Sequence, residues 1–224
     1  MTAQVEPALQ RFRHIVVEGA IGVGKSSLAR KLAHHLDAQL LLELPEENPF
    51  LGRFYEDMQG YAFQTQLFFL FQRVKQMRAV AQPGMFDQAV VSDFLFAKDA
   101  LFAKLTLSDD EYALYAQMYA QMAPQVGEPD LVIWLQAPPP VLLQRIEKRA
   151  IRMERAIDAP YLQRLCDAYV EYFHGYDGAP VFAVGTEHFN PIDREGDFQE
   201  LLDRLAHFRG RREFFNAHGP GPIA

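Results

Sequence analysis

The residues with the clearest chemical capacity lie near the start of the chain, in Gly19-Ala20-Ile21-Gly22-Val23-Gly24-Lys25-Ser26, with Ser27 following. They fit the spacing G-x-x-x-x-G-K-[ST], in which glycines let backbone N–H groups come close to phosphate oxygens. A helix that opens directly after such a loop adds a favourable dipole. Lys25 is long enough to reach β- and γ-phosphates, and the Ser26 hydroxyl can ligate Mg²⁺, so the implied cofactor is Mg²⁺ with a nucleoside triphosphate. The alternative is a chance glycine-rich turn. An apolar run before the loop and a helical pattern after it argue against chance.

Positioning such a loop requires a strand that ends at it and a sheet that holds the strand. Short apolar runs recur at His14 to Glu18, Gln39 to Leu44, Ala89 to Ser92, Leu131 to Leu135 and Pro180 to Val184, separated by helical spacing such as Ser26 to Leu36 and Val141 to Arg149. Nearly continuous apolar strands alternating with helices predict an α/β fold with a doubly wound, five-stranded parallel sheet, covered by helices on both faces. Two connections exceed a minimal crossover, Pro49 to Gln82 and Phe94 to Pro124, and both read as inserted helix pairs. Ligands of open α/β sheets bind beyond the carboxyl ends of the strands, so these insertions are expected to wall an acceptor pocket. The chain reads as a single domain over residues 1–224, with an ordered core of about 12–209 and mobile tails at 1–10 and 210–224.

Composition narrows the partners. The net charge is -7 and the 22 basic residues are dispersed, which speaks against a nucleic-acid surface and for a small-molecule partner. The longest apolar runs, Phe68 to Phe71 and Leu131 to Leu135, fall far short of the roughly 20 residues that cross a bilayer, and no secretory pattern opens the chain. A lone Cys166 can form no internal disulfide, consistent with a cytoplasmic setting.

A more selective pattern follows strand two: Glu43-Leu44-Pro45-Glu46-Glu47-Asn48-Pro49-Phe50-Leu51, then Phe54-Tyr55-Glu56-Asp57 and Phe63-Gln64-Thr65-Gln66. With Glu18-Gly19 before the loop and Ser92-Asp93 after strand three, this resembles the deoxyribonucleoside kinase family over about Arg13 to Leu205, particularly its bacterial deoxyadenosine and deoxyguanosine kinases. The resemblance implies a P-loop kinase fold with an arginine-bearing lid. It also implies ATP and Mg²⁺ as cofactors, a purine deoxyribonucleoside phosphorylated at its 5′-hydroxyl, and a homodimer formed through the inserted helices.

The same resemblance assigns roles. Glu43 would be the general base, with Glu46 and Glu47 as competing carboxylates. Gln64 would read the nucleobase edge through its amide, Phe63 and Phe102 would sandwich the base, and Tyr55 would contact the sugar 3′-hydroxyl. Asp93 would help Ser26 hold Mg²⁺, Asp99 would lie near the base edge, and Arg149 and Arg152 would be the lid cations over the transferring phosphoryl group. The segment Thr186 to Asp193 would pack on the ATP adenine.

Departures from the family are also legible. Many members follow the strand-three acid with Arg, whereas here the order is Asp93-Phe94-Leu95, so the missing positive charge must come from elsewhere. The lid usually reads Arg-Gly-Arg, and here it is Arg149-Ala150-Ile151-Arg152. Pro160 occupies a position where relatives often place an acidic sugar contact, so that either Asp158 substitutes for it or the contact is absent. Two other readings stand beside this one. A nucleoside monophosphate kinase of thymidylate kinase type would need arginines for a phosphate acceptor, and Leu42 precedes Glu43 where such enzymes carry one. A non-catalytic P-loop sensor would need neither Glu43 nor the base-reading amide.

Overall fold

The computed structural model of the chain describes residues 8–80, 88–123 and 127–217. Among these residues β1 (His14–Gly19), β2 (Gln39–Leu41), β3 (Val90–Ser92), β4 (Leu131–Gln136), β5 (Val181–Gly185) and β6 (Arg212–Asn216) form one parallel sheet in the order β2-β3-β1-β4-β5-β6. The central strands are largely apolar because helices cover both faces, and Val17, Val132 and Phe182 are all fully buried. Since β1 lies between β3 and β4, its carboxyl end, where the glycine loop begins, opens at the middle of the sheet's edge.

The sheet has six strands, not five. The sixth lies in the stretch from Gly210 that reads as a tail, and it escapes a search for continuous apolar runs because only one of its faces is covered. Phe215 is buried, while the adjacent Phe214 is 63% exposed. At the other end Leu9 and Phe12 are buried in the core, so the packed region begins before residue 12. Residues 1–7 and 218–224 of the predicted tails, and Gln82 and Pro124 at the ends of the predicted insertions, lie outside the described residues.

The helices are α1 (Lys25–His35), α2 (Leu51–Glu56), α3 (Met58–Val80), α4 (Asp99–Thr106), α5 (Asp109–Met122), α6 (Pro139–Arg149), α7 (Ala159–Gly175) and α8 (Glu195–His207). The two insertions are the expected helix pairs. α2 packs on α3 through Leu51, Phe54, Ala62 and Phe69, and α3 packs on α4 and α5 through Leu70, Val74, Ala103 and Tyr115. α5 opens with a reciprocal cap between Ser108 and Glu111. β2 ends at Leu41, short of the expected Leu44, and residues 42–44 run on as a loop held by α3: Gln76 Nε2 donates to the Leu42 carbonyl at 2.8 Å and Gln72 Nε2 to the Leu44 carbonyl at 3.3 Å. Glu43 is clamped between these two anchors.

Candidate active site

The glycine loop is shaped by close approach. Gly19 has φ +147°, and a side chain there would put Cβ 2.3 Å from the Leu135 carbonyl oxygen; at Gly24, φ +103°, it would lie 2.5 Å from Ile192 Cδ1. Lys25 Nζ donates to the carbonyls of Gly19 at 2.8 Å and Ala20 at 3.3 Å. Burial lowers its pKa from the ordinary lysine value; nearby Lys98 adds to that, against the pull of Glu18, Glu43 and Asp93.

At the carboxyl ends of β1, β2 and β3, three segments meet on one carboxylate. The Ser26 hydroxyl donates to Asp93 Oδ2, and the Glu43 backbone N–H donates to Asp93 Oδ1 at 2.7 Å. Burial raises Asp93 above the usual aspartate value, and these two donors oppose it. Ser26 and Asp93 therefore present adjacent hard oxygen atoms. Among the described residues no group of three or more His, Cys, Asp or Glu could hold a metal. The pair suits a cation that takes few protein ligands and completes its shell with water and phosphate oxygens, as Mg²⁺ does.

From this point a cleft runs under α3, lined by Lys25, Glu43, Gln66, Arg73, Lys98 and Phe102. Arg73 is its pivot, with a side chain only 4% exposed. Its Nε donates to Glu43 Oε1 at 2.9 Å, and the same guanidinium pairs with Asp99, which also accepts from the Tyr115 hydroxyl. Burial pushes the Glu43 carboxyl up, but Arg73, with Lys98 and Lys25 behind it, outweighs burial and holds it down to about 2. Glu46 and Glu47 are exposed, so of the three candidate carboxylates Glu43 is the enclosed one.

The structure brings Phe102 and Tyr55 to the cleft wall but not Phe63 or Gln64. Gln64 is exposed, and Phe63 packs against the cluster of Leu70 and Tyr115. The amide on the wall is Gln66, 3% exposed, with Nε2 3.3 Å from Thr106 Oγ1. Gln66, Phe69 and Arg73 stand at i, i+3 and i+7, one face of α3, whereas Gln64 points the other way. In the sequence that stripe is not marked, because apolar residues lie on several sides of α3 and do not say which of its faces turns inward. Asp99 sits behind Arg73 and is fully buried, off the wall itself.

On the lid side Arg149 lines the cleft and forks onto both Glu154 oxygens at 2.5 and 2.6 Å, whereas Arg152 is exposed and away from the wall. The acid that reaches the cleft beside Tyr55 is Glu154. Asp158 instead starts α7, its carboxylate accepting the Tyr161 N–H at 2.8 Å. A second cleft shares Gly22 and Arg149 with the first and continues along Val23, Ser27, Arg145 and Asn190. Arg145, which sequence reading passed over, donates to the Thr186 hydroxyl at 3.0 Å and its carbonyl at 2.6 Å, bracing the segment that follows β5.

The family model described as deoxynucleoside kinase matches residues 15–208 of this chain. The chain belongs to the deoxynucleoside kinase family. The kinase is 34% identical over 156 residues to a deoxyguanosine kinase of Bacillus subtilis, covering 69% of this chain and 75% of that one. It is 29% identical over 202 residues to the deoxyadenosine/deoxycytidine kinase of the same organism, covering 86% and 91%. The fold matches a solved deoxyadenosine kinase of M. mycoides with a TM-score of 0.75 at 23% identity, covering 87% of this chain and 100% of that one. Membership makes this chain a phosphotransferase that phosphorylates nucleosides. No helix among the described residues is long and apolar enough to cross a membrane.

Proposed function

We propose that this kinase transfers the γ-phosphoryl group of Mg²⁺–ATP to the 5′-hydroxyl of a purine deoxyribonucleoside. One observation carries the reading: Lys25 and Ser26 of the phosphate loop, the enclosed carboxylate of Glu43 and the buried amide of Gln66 face a single cleft. The donor's base and ribose follow the second cleft, against Arg145 and residues 190–193, and its phosphates lie on the loop that joins the two clefts. Ser26 and Asp93 would hold Mg²⁺, which would supply charge neutralisation at the phosphates. Glu43 accepts the 5′-hydroxyl proton, and its N–H bond to Asp93 fixes it beside the metal ligands.

The base lies along α3 with Phe102 on one face. Gln66 offers an amide donor and acceptor side by side, the pair an adenine edge requires. Tyr55 and Glu154 take the sugar 3′-hydroxyl, and Arg149 closes over the phosphoryl group after exchanging Glu154 for it. The purine preference is supported by the name of one relative, deoxyguanosine kinase, whereas the name of the other, deoxyadenosine/deoxycytidine kinase, spans a purine and a pyrimidine. Phe71 of α3 and Leu114 of α5, about half exposed, suit burial in a homodimer.

The test is an initial-rate panel over the four deoxynucleosides and their ribose counterparts with Mg²⁺–ATP, repeated for Gln66→Ala and Gln64→Ala. A purine deoxynucleoside should lead the panel. Gln66→Ala should lose at least about tenfold in kcat/KM for it, since a bidentate base contact is worth about 1–3 kcal/mol, and Gln64→Ala should lose less than about twofold. A larger loss at Gln64, or a pyrimidine in first place, rejects this account of the base pocket.

A further inference from the structure

Phosphoryl transfer spreads negative charge over oxygens that need cations, and the cleft must supply them from its walls. Lys25 comes from the loop. Arg73 is committed to two carboxylates, Glu43 and Asp99, and Arg149 is paired with Glu154 and has 46% of its side chain exposed. Lys98 is different. It comes from the 3₁₀ turn Phe96–Lys98 after β3, its side chain is 2% exposed, and it still lines the cleft.

Burying an ammonium costs several kcal/mol unless its donors are used. Among the described residues the ion-pair partner of Lys98 is Glu18, with Nζ 3.4 Å from Oε1. That carboxylate is already well served: it accepts the Gly19 N–H at 3.0 Å, the Tyr169 hydroxyl at 2.8 Å and the Leu95 N–H at 2.7 Å. Glu18 therefore holds the base of the loop and of the 95–98 turn without needing a lysine. The Lys98 ammonium stands 4.7 Å from the centre of the Phe102 ring, on the cleft side, and is close enough to bear on both Lys25 and Glu43, lowering each. An unbranched point charge with three rotatable donors, lining the same cleft as the loop lysine and the proposed base, suits a phosphoryl oxygen better than a planar guanidinium would.

We infer that Lys98 is a catalytic residue whose ammonium donates to the phosphoryl group and the 5′-oxygen as the bond between them forms, supplying the positive charge that Phe94 does not. In that step the 5′-oxygen bonds to the γ-phosphorus and its proton passes to Glu43. The bond from γ-phosphorus to the bridging oxygen breaks, its electron pair leaves on the β-phosphate of ADP, and Lys98 keeps its protons throughout. The inference rests on the cleft being the site of deoxynucleoside phosphorylation.

The experiment compares wild type, Lys98→Met and the double variant Glu18→Gln/Lys98→Met, measuring kcat for the best deoxynucleoside of the panel, Kd for that nucleoside and for ATP, and the thermal midpoint. Lys98→Met should lose about 10²-fold or more in kcat, the loss usual for removing one transition-state donor, while both Kd values stay within about threefold. The double variant removes both buried charges, so it relieves any purely structural need for the lysine and keeps the test alive if Lys98→Met does not fold. It should stay as inactive as the single variant. A Lys98→Met enzyme within about threefold of wild-type kcat, or recovery to that level in the double variant, overturns the role and leaves Lys98 as the counter-ion of Glu18. Wild-type protein that turns over no deoxynucleoside overturns the proposed function itself, and this inference with it.

Discussion

In the role of general base proposed for it, Glu43 answers two demands that conflict. A general base works best with a pKa near the working pH, yet the Arg73 pair holds this carboxylate at about 2, so it is fully ionised but a weak acceptor. The conflict is tolerable where the phosphoryl transition state is loose and proton removal comes late. Glu43→Gln should then lower kcat by roughly 10²- to 10⁴-fold with little change in nucleoside Kd. The same substitution has a stability signature. A carboxyl lowered from 4.5 to about 2 contributes stability that is fully present above pH 4.5 and lost as pH falls toward 2. Acid unfolding of Glu43→Gln should be shallower than wild type across that window and weaker at neutral pH, read by circular dichroism against pH; a superimposable curve would show that the Arg73 pair does not couple to folding. The sequence named Glu43 through its neighbours. It did not name Arg73, because an arginine among Phe69, Leu70 and Val74 is visible as a site only once it is known which stripe of α3 faces inward.

At the scale of elements, the lid carries a local cost. α6 ends at Ala150 with φ 55° and ψ 29°, a left-handed conformation that costs a non-glycine residue about 1–2 kcal/mol. The family's usual glycine at this point is the residue that avoids the cost. Ala150→Gly should raise stability by about 0.5–1 kcal/mol, or the thermal midpoint by roughly 1–4 °C, after the extra freedom of glycine in the unfolded chain is counted. A lowered midpoint in calorimetry would mean that the turn between α6 and the 3₁₀ segment Arg152–Ala156 is held by something other than its backbone. Element existence was well marked in the sequence, since continuous apolar strands and helical spacing between them are local signals. Element ends were less so. Leu42 and Leu44 look like strand, but they are drawn off β2 by the side chains of Gln72 and Gln76, more than 25 residues downstream.

Across the whole molecule, the sheet is finished by a strand whose pattern is half buried. Phe215 meets Phe189 edge to face at 4.9 Å and lies under the Arg204 guanidinium at 3.7 Å. Phe215→Ala should destabilise by about 3–5 kcal/mol, and exposed Phe214→Ala by less than about 0.5 kcal/mol. Denaturant midpoints that move equally for the two would reject β6 as a packed strand. The overall architecture was legible because helix-covered strands are largely apolar. β6 was not, because a strand covered on one face only has a mixed pattern that reads like a tail.

The placement of β1 also orders events during synthesis. Among the described strands it comes earliest in the chain, yet its sheet partners there are β3 and β4, and Gly19 fits its loop by lying against the backbone of Leu135. The phosphate loop thus has no wall until the ribosome has released β4, an interval on the order of ten seconds at about 5–20 residues per second. A nucleotide bound at this loop cannot stabilise the nascent chain before then, so its help comes to chains that have already built the middle of their sheet.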